Sequence, residues 1–176
     1  MNHKQSEEKM PLLRIENLKK YYPIKGGIIT HTTGYVKAVD GVSFQICQGE
    51  TLGLVGESGC GKSTIGRQLV GLEKPTDGTV YYKDHDLGRM NRKDVKPFRT
   101  KLQMVFQDPV SSFDPRRTLG VGIGESLRNR GMKKEEIQKR VEEVLEQAGL
   151  DPQFAARYPH EVSGGQCQRA AIARAL

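Results

Sequence analysis

Short strand-like runs of hydrophobic residues alternate along the chain with longer stretches of helical spacing. Some runs alternate between apolar and polar positions, as half-buried strands do, and others are continuously apolar, which is typical of strands buried on both faces. Strands are predicted at residues 12–18, 36–46, 51–55, 79–82 and 102–106. The pair Asp40-Gly41 is a strong turn signal inside the second run. Residues 22–34, rich in glycine and threonine, are predicted to form a hairpin excursion or a loop.

Three segments have the hydrophobic spacing of helices. Residues 62–72 carry one apolar stripe, and residues 133–147 carry a longer one made of Ile137, Val141, Val144 and Leu145. A third helix is predicted to begin near Ser163 and to include residues 169–176. Strands and helices that follow one another in this way indicate an α/β fold.

Composition narrows the class of protein. The 176 residues are 36% hydrophobic with 20 glycines, so a buried core is feasible. No stretch approaches the roughly 18 apolar residues of a membrane span, and residues 1–10 read as a flexible polar tail without a signal-peptide core. Three cysteines without metal-ligand spacing favour a reducing compartment over a disulfide framework or zinc site.

The net charge of +7 is compatible with a nucleic acid, an acidic membrane surface or a phosphate ligand. The densest basic run is residues 89–101, where Phe98 is the single aromatic residue. One aromatic residue is poor support for base stacking, so we interpret this run as a solvated face and expect no nucleic-acid partner.

A phosphate-binding loop is predicted between the strand at 51–55 and the helix at 62–72. The sequence GESGCGKST matches G-x-x-x-x-G-K-[ST] in the strand–loop–helix context that the motif requires. Its glycines let backbone N–H groups approach phosphate oxygens, Lys62 supplies a charge between the β- and γ-phosphates, and the Ser63 hydroxyl can ligate Mg²⁺. We interpret Cys60 as a small filler residue. The loop predicts binding of a nucleoside triphosphate, with the contacts made by Gly56, Ser58, Gly59, Cys60, Gly61, Lys62, Ser63 and Thr64.

A second candidate anion site lies at the start of the third helix. Its N–H groups and a serine hydroxyl belong to Ser163, Gly164, Gly165 and Gln166. One ATP reaches both sites only if they meet, which suggests two chains stacked head to tail. The alternative is an ordinary Ser-Gly helix cap.

With both motifs present, the sequence resembles the ATP-binding cassette family of transport ATPases. Ser163 to Gln166 matches the family's signature motif, and Gln107, after the run LQMVF, matches its Q-loop glutamine. Tyr22 stands where the family has an aromatic residue that stacks on adenine. Tyr21 is a near alternative for that role, and plain strand-edge packing is another explanation for either tyrosine.

The resemblance implies a P-loop NTPase (RecA-like) core with an antiparallel β subdomain and an α-helical subdomain. We expect the core and β subdomain over residues 11–107, and the Q-loop region, helical subdomain and signature helix over 108–176. By resemblance, Lys62 and Gln107 are catalytic, and Ser63 and Gln107 hold Mg²⁺.

Four stretches resemble the subfamily that energises bacterial oligopeptide, dipeptide and nickel importers: residues 22–27, 36–44, 106–109 with 111–112, and 158–161. Val162, Phe113-Asp114 and Cys167 depart from the subfamily's common residues, and none of them removes a phosphate donor. His160 is a subfamily marker in this interpretation. The sequence leaves the cargo, peptide or nickel, open.

The implied function is that of an ATP-binding importer subunit at the cytoplasmic face of the membrane. Its expected cofactors are ATP and Mg²⁺. Its expected partners are a second ATP-binding subunit, membrane permease subunits and, indirectly, an extracytoplasmic binding protein. A chromosome- or repair-type ATPase is the alternative, but only one compact helical segment separates Gln107 from Ser163, where such proteins carry long insertions.

Family members continue past the signature helix to an Asp-Glu strand, a D-loop and a switch histidine, whereas this sequence ends at Leu176. The expectation is a truncated product that hydrolyses ATP poorly alone and leaves the strand at 51–55 without its sheet partners. A non-catalytic remnant that binds ATP stays open as a further alternative.

Overall fold

The computed structural model describes residues 10–26, 31–91 and 93–176. The chain divides between Gln103 and Met104 into two compact units. The tail predicted at 1–10, apart from Met10, and the tip of the 22–34 excursion lie outside the described residues, as does Arg92 of the basic run.

The first unit is built on a four-stranded antiparallel sheet in the order β2-β1-β3-β4. Its longest strands, β1 and β2, form one ribbon over the region predicted as a hairpin excursion or a loop, so the hairpin interpretation is confirmed for the described residues. The strands are β1 (Pro11–Gly26), β2 (His31–Cys47), β3 (Asp77–Tyr82) and β4 (His85–Asp86).

Register irregularities interrupt the β1–β2 ribbon at several points, and those near Asn17 and Gly41 bear on the predicted elements. Leu13 and Ile15 are buried with period two, and an irregularity at Asn17, which has a φ of 49°, returns Leu18 to the same buried face. Opposite Lys19 the register skips Gly41, whose φ is 78°. The predicted turn at Asp40-Gly41 is therefore wrong, because the glycine supplies the left-handed residue of a bulge inside a continuous strand.

The strands predicted at 51–55 and 102–106 are absent. Neither segment pairs with any of the four strands in the described part of the chain. Leu52, Leu54 and Val55 are exposed, Val55 by 90%. A strand is stable only when its backbone N–H and C=O groups pair with a neighbouring strand, and neither run has such a neighbour among the described residues.

Helices α1 (Lys62–Leu69) and α2 (Lys96–Arg99) complete the first unit. The α1 helix is shorter than the predicted 62–72 because Gly71 adopts a φ of 71°, and the Leu72 N–H turns back to the Arg67 carbonyl. Ile65 packs with the apolar face of the sheet.

The second unit is helical, and its core confirms the predicted stripe of Ile137, Val141, Val144 and Leu145. This stripe packs with the small buried face of the last helix, Cys167, Ala170 and Ala171. Its helices are α3 (Leu119–Ile123), α4 (Glu125–Arg128), α5 (Lys134–Gln147) and α6 (Gly164–Ala175), with short 3₁₀ helices at Pro152–Ala156 and Pro159–Glu161.

In the part of the chain that the structure describes, none of these helices has the length and apolar character needed to cross a membrane.

Candidate nucleotide-binding site

The loop between residue 55 and α1 is exposed and glycine-rich, with two glycines in the left-handed region: Gly59 at 82° and Gly61 at 95°. A Cβ on Gly61 would lie 2.2 Å from the Ala38 carbonyl oxygen of β2, so this glycine lets α1 start against the sheet. A Cβ on Gly56 would lie 2.7 Å from the Cys60 sulfur, which occupies the inside of the loop. Among Gly56, Gly59 and Gly61, only Gly59 has nothing within 4 Å of an added Cβ. It therefore faces open space, where a ligand can approach the backbone closely.

Lys62 is the centre around which the loop folds. The residue is half-buried, and its ammonium donates to the carbonyl oxygens of Gly56 at 2.8 Å and Glu57 at 2.5 Å. The Cys60 sulfur lies 3.4 Å from the same nitrogen. A side chain six positions downstream thus closes the loop on itself and places one positive charge at its mouth.

The start of α1 adds donors beside that charge. The N–H groups in the first turn of a helix have no intrahelical partner, and in α1 no side chain caps them either. The helix dipole adds positive potential at the same end. The exposed Ser63 and the half-buried Thr64 lie in this turn. This donor set fits a phosphate chain, and the Ser63 hydroxyl is the kind of hard oxygen ligand that Mg²⁺ accepts alongside phosphate oxygens.

The two candidate adenine-stacking tyrosines face opposite ways, as neighbours on a strand do. The Tyr22 hydroxyl donates to Glu73 Oε1 at 2.5 Å and also interacts with the Thr64 side chain of α1. The Tyr21 hydroxyl instead donates to Asp40. Tyr22, a residue that is still 37% exposed, is therefore the one beside the phosphate-loop helix.

The hydrogen bond between Tyr22 and Glu73 shifts both groups. Hydrogen bonding to the Glu73 carboxylate, aided by burial, raises the pKa of Tyr22. The same bond, together with Lys20, holds the pKa of Glu73 below its ordinary value of 4.5. Both pKa shifts have the same cause, because the hydrogen bond favours a neutral phenol that donates to a charged carboxylate.

The signature segment caps α6. The Gln166 N–H donates to Ser163 Oγ at 3.3 Å, and the Ser163 N–H donates to Gln166 Oε1 at 2.8 Å. Ser163, Gly164 and Gly165 are exposed. The reciprocal cap explains why serine and glutamine stand three residues apart, and the exposed glycines leave the helix N-terminus accessible to an anion.

Gln107 is exposed in an irregular segment of the second unit, directly before Asp108. The Asp108 carboxylate accepts hydrogen bonds from the N–H groups of Val110 and Ser111, and the bonding to Ser111 holds its pKa below its ordinary value. The structure thus brings Tyr22 and the phosphate loop together in the first unit, and it places Gln107 and the signature segment in the second.

The sequence analysis did not single out Glu73 and Arg174, two residues whose side chains make long-range hydrogen bonds. Arg174 donates to the Ser112 carbonyl oxygen at 2.6 Å and to its hydroxyl at 3.0 Å, and it lies 4.6 Å from the Phe113 ring centre. Burial lowers the pKa of Arg174. No local spacing signals either residue, because each acts on a partner some fifty or more positions away in the sequence.

Comparison with known proteins decides the family: the sequence profile described as "ABC transporter" matches residues 39–176. The chain belongs to the ABC transporter family. The resemblance inferred from the phosphate loop, Gln107 and the signature segment is thereby confirmed.

Relatives of this ABC cassette carry peptide-transport names. It is 50% identical over 167 residues to the oligopeptide transport ATP-binding protein AppF of Bacillus subtilis, covering 94% of this chain and 51% of that protein. It is 46% identical over 174 residues to OppF, the oligopeptide transport ATP-binding protein of Salmonella typhimurium, covering 97% of this chain and 52% of that one. The chain therefore spans about half the length of these relatives.

Solved cassettes share its fold. The dimeric structure of MJ0796, a bacterial ABC transporter cassette, superimposes with a TM-score of 0.81 at 33% identity, covering 93% of this chain and 68% of that one. A dimeric post-hydrolysis state of the same cassette, bound to ADP and Pi, gives a TM-score of 0.78 at 32% identity with the same coverage. The predicted P-loop NTPase class, with antiparallel sheet and helical parts, is confirmed.

Replacing Ser163 by alanine is expected to destabilise the first turn of α6 by about 1 kcal/mol, because the cap to the Gln166 N–H is lost. Hydrogen exchange of the first-turn amides should accelerate by about fivefold. Ser126→Ala is the control, since Ser126 lies inside α4 and caps no helix. Equal acceleration in both variants would contradict the capping role.

Proposed function

We propose that this chain is the ATP-binding part of an ABC importer for oligopeptides or dipeptides. The observation that carries the proposal is the closed phosphate loop, with the Lys62 ammonium at its centre and the uncapped start of α1 beside it. The names of the relatives support the peptide cargo.

ATP and Mg²⁺ are the proposed cofactors, the ion neutralising charge on the β- and γ-phosphates when bound. Gly59 admits the phosphates close to the backbone, Lys62 pairs with them, and Ser63 ligates the ion. Tyr22 supports the adenine from β1. The other loop residues, Gly56, Ser58, Cys60, Gly61 and Thr64, form the wall of the phosphate site.

The remaining residues of the proposed site belong to the second unit. Gln107 contacts the γ-phosphate region and Mg²⁺, and the exposed N-terminus of α6 receives the γ-phosphate of a partner chain's ATP. Two cassettes packed head to tail satisfy both anion sites. The solved relative described as a dimer is consistent with such an assembly.

The partners proposed for the whole protein are a second ATP-binding subunit, permease subunits in the membrane and, through them, an extracytoplasmic binding protein. The location is the cytoplasmic face of the membrane. A nucleic-acid role has little support, because Phe98, the one aromatic residue of the basic run, packs edge-to-face with Tyr82 at 5.7 Å and His85 at 5.0 Å. That ring is engaged within the first unit and forms no free stacking platform.

Uptake in the native host tests the proposal. Introducing Lys62→Ala should reduce uptake of a labelled oligopeptide to background and leave nickel uptake unchanged. Lys139→Ala, which removes an exposed lysine of α5, is the matched control and should leave both unchanged. Loss of nickel uptake instead would assign the other cargo, and unchanged uptake of both would contradict the importer role.

A separate DNA-binding measurement tests the chromosome-type alternative. Retention of DNA that falls steeply as salt is raised would favour that alternative.

A further inference from the structure

Glu73 lies where the connection from α1 to β3 meets β1. Its Oε1 atom accepts a hydrogen bond from the Tyr22 hydroxyl at 2.5 Å and lies 3.3 Å from the Lys20 ammonium. The side chains of Lys20 and Glu73 are only 17% and 19% exposed. One carboxylate oxygen therefore joins a largely buried cation to the aromatic ring beside the phosphate loop.

The backbone around Glu73 is itself fixed. The Glu73 N–H donates to the Arg67 carbonyl oxygen of α1 at 3.2 Å. Lys20 also donates to the Lys74 carbonyl oxygen at 2.8 Å, and the Thr76 N–H donates to the Lys19 carbonyl oxygen at 2.8 Å. Glu73 is thus held between α1 and β1, and its carboxylate has little freedom to move away from Tyr22.

A tyrosine ring has two side-chain torsions, and a charge-assisted hydrogen bond at its far end restricts both of them. The Lys20 ammonium lies 5.2 Å from the centre of the same ring and restricts it further. A ring fixed before the ligand arrives loses less entropy on binding than a mobile one, so its restraint contributes to affinity.

We propose that Glu73, supported by Lys20, is a positioning residue that holds the Tyr22 ring for stacking on the base of the nucleotide. The inference rests on the proposed function, since it requires Tyr22 to be the base platform. Its consequence is specific: Glu73 contributes to affinity for the nucleoside part of ATP and does not affect affinity for the phosphates.

Binding of MgATP and of magnesium tripolyphosphate to the 176-residue chain separates these parts. Glu73→Ala should weaken MgATP binding by about fivefold and leave tripolyphosphate binding unchanged. Tyr22→Phe, which keeps the ring and removes the donor, should give the same result, and the double variant should be no weaker than either single one. Asp77→Ala is the control, because its carboxylate pairs with Lys19 instead.

Equal losses for both ligands in Glu73→Ala, or additive losses in the double variant, would overturn the inference. Tyr22→Ala distinguishes this failure from failure of the proposed function. If Tyr22→Ala weakens only MgATP while Glu73→Ala and Tyr22→Phe do not, the platform stands and the positioning role is wrong. If Tyr22→Ala weakens neither ligand, the base platform itself is wrong. Should Glu73→Ala not fold, the isosteric Tyr22→Phe variant still decides the question.

Discussion

Replacing Lys62 by alanine is expected to weaken MgATP binding about 100-fold. The ammonium is the side-chain cation of the loop, and the carbonyl oxygens of Gly56 and Glu57 hold it in place. A hydrogen bond to a charged group contributes ~1.5–3 kcal/mol, and a 100-fold loss of affinity, about 2.7 kcal/mol, lies within that range. Tripolyphosphate binding should fall by the same factor, because the lost contact is to phosphate.

Isothermal titration calorimetry with both ligands measures this effect. Lys139→Ala removes the same charge from an exposed position on α5 and should bind both ligands with the affinity of the original chain. A Lys62→Ala chain that keeps its MgATP affinity, with the control behaving as expected, would contradict the assignment of the loop as a phosphate site.

Replacing Gly61 by alanine is expected to destabilise the first unit by about 2–6 kcal/mol. Two penalties combine at this position. A non-glycine residue at a φ of 95° is strained by ~1–3 kcal/mol, and the new Cβ would lie 2.2 Å from the Ala38 carbonyl oxygen. Overpacking of this kind adds ~1–3 kcal/mol, and here the obstacle is strand backbone that cannot rotate away.

Gly59→Ala is the matched control. Gly59 has a similar φ of 82°, but nothing lies within 4 Å of its added Cβ, so only the strain of about 1–3 kcal/mol remains. Urea unfolding followed by far-UV circular dichroism measures both variants, a suitable probe since the chain contains no tryptophan. Equal losses at the two positions would show that the approach of α1 to Ala38 does not require glycine.

The α5 stripe and the phosphate-loop helix were predictable because their signals are local. A helix buries one face, so Ile137, Val141 and Leu145 recur at the spacing of one turn, and the glycine-lysine pattern fixes where α1 begins. The strand predicted at 51–55 failed for the opposite reason. Its apolar run is compatible with a buried strand, but a strand depends on partners elsewhere in the chain, and no spacing within the run specifies them.

The bulges at Asn17 and Gly41 show a second limit. The pair Asp40-Gly41 has the same local signature in a turn and in a bulge, and only the register against β1 distinguishes them. The candidate site divides in the same way. Its phosphate loop is contiguous and could be predicted, whereas Glu73 reaches Tyr22 only through the path of the chain after α1.

Hydrogen exchange of the backbone amides at residues 57–64, with and without MgATP, tests the central claim most directly. If the loop and the start of α1 cradle the phosphates, those amides should become strongly protected at saturating MgATP. Magnesium tripolyphosphate should produce the same pattern. Exchange at residues 57–64 that is unchanged by either ligand would contradict the account, whatever happens elsewhere in the chain.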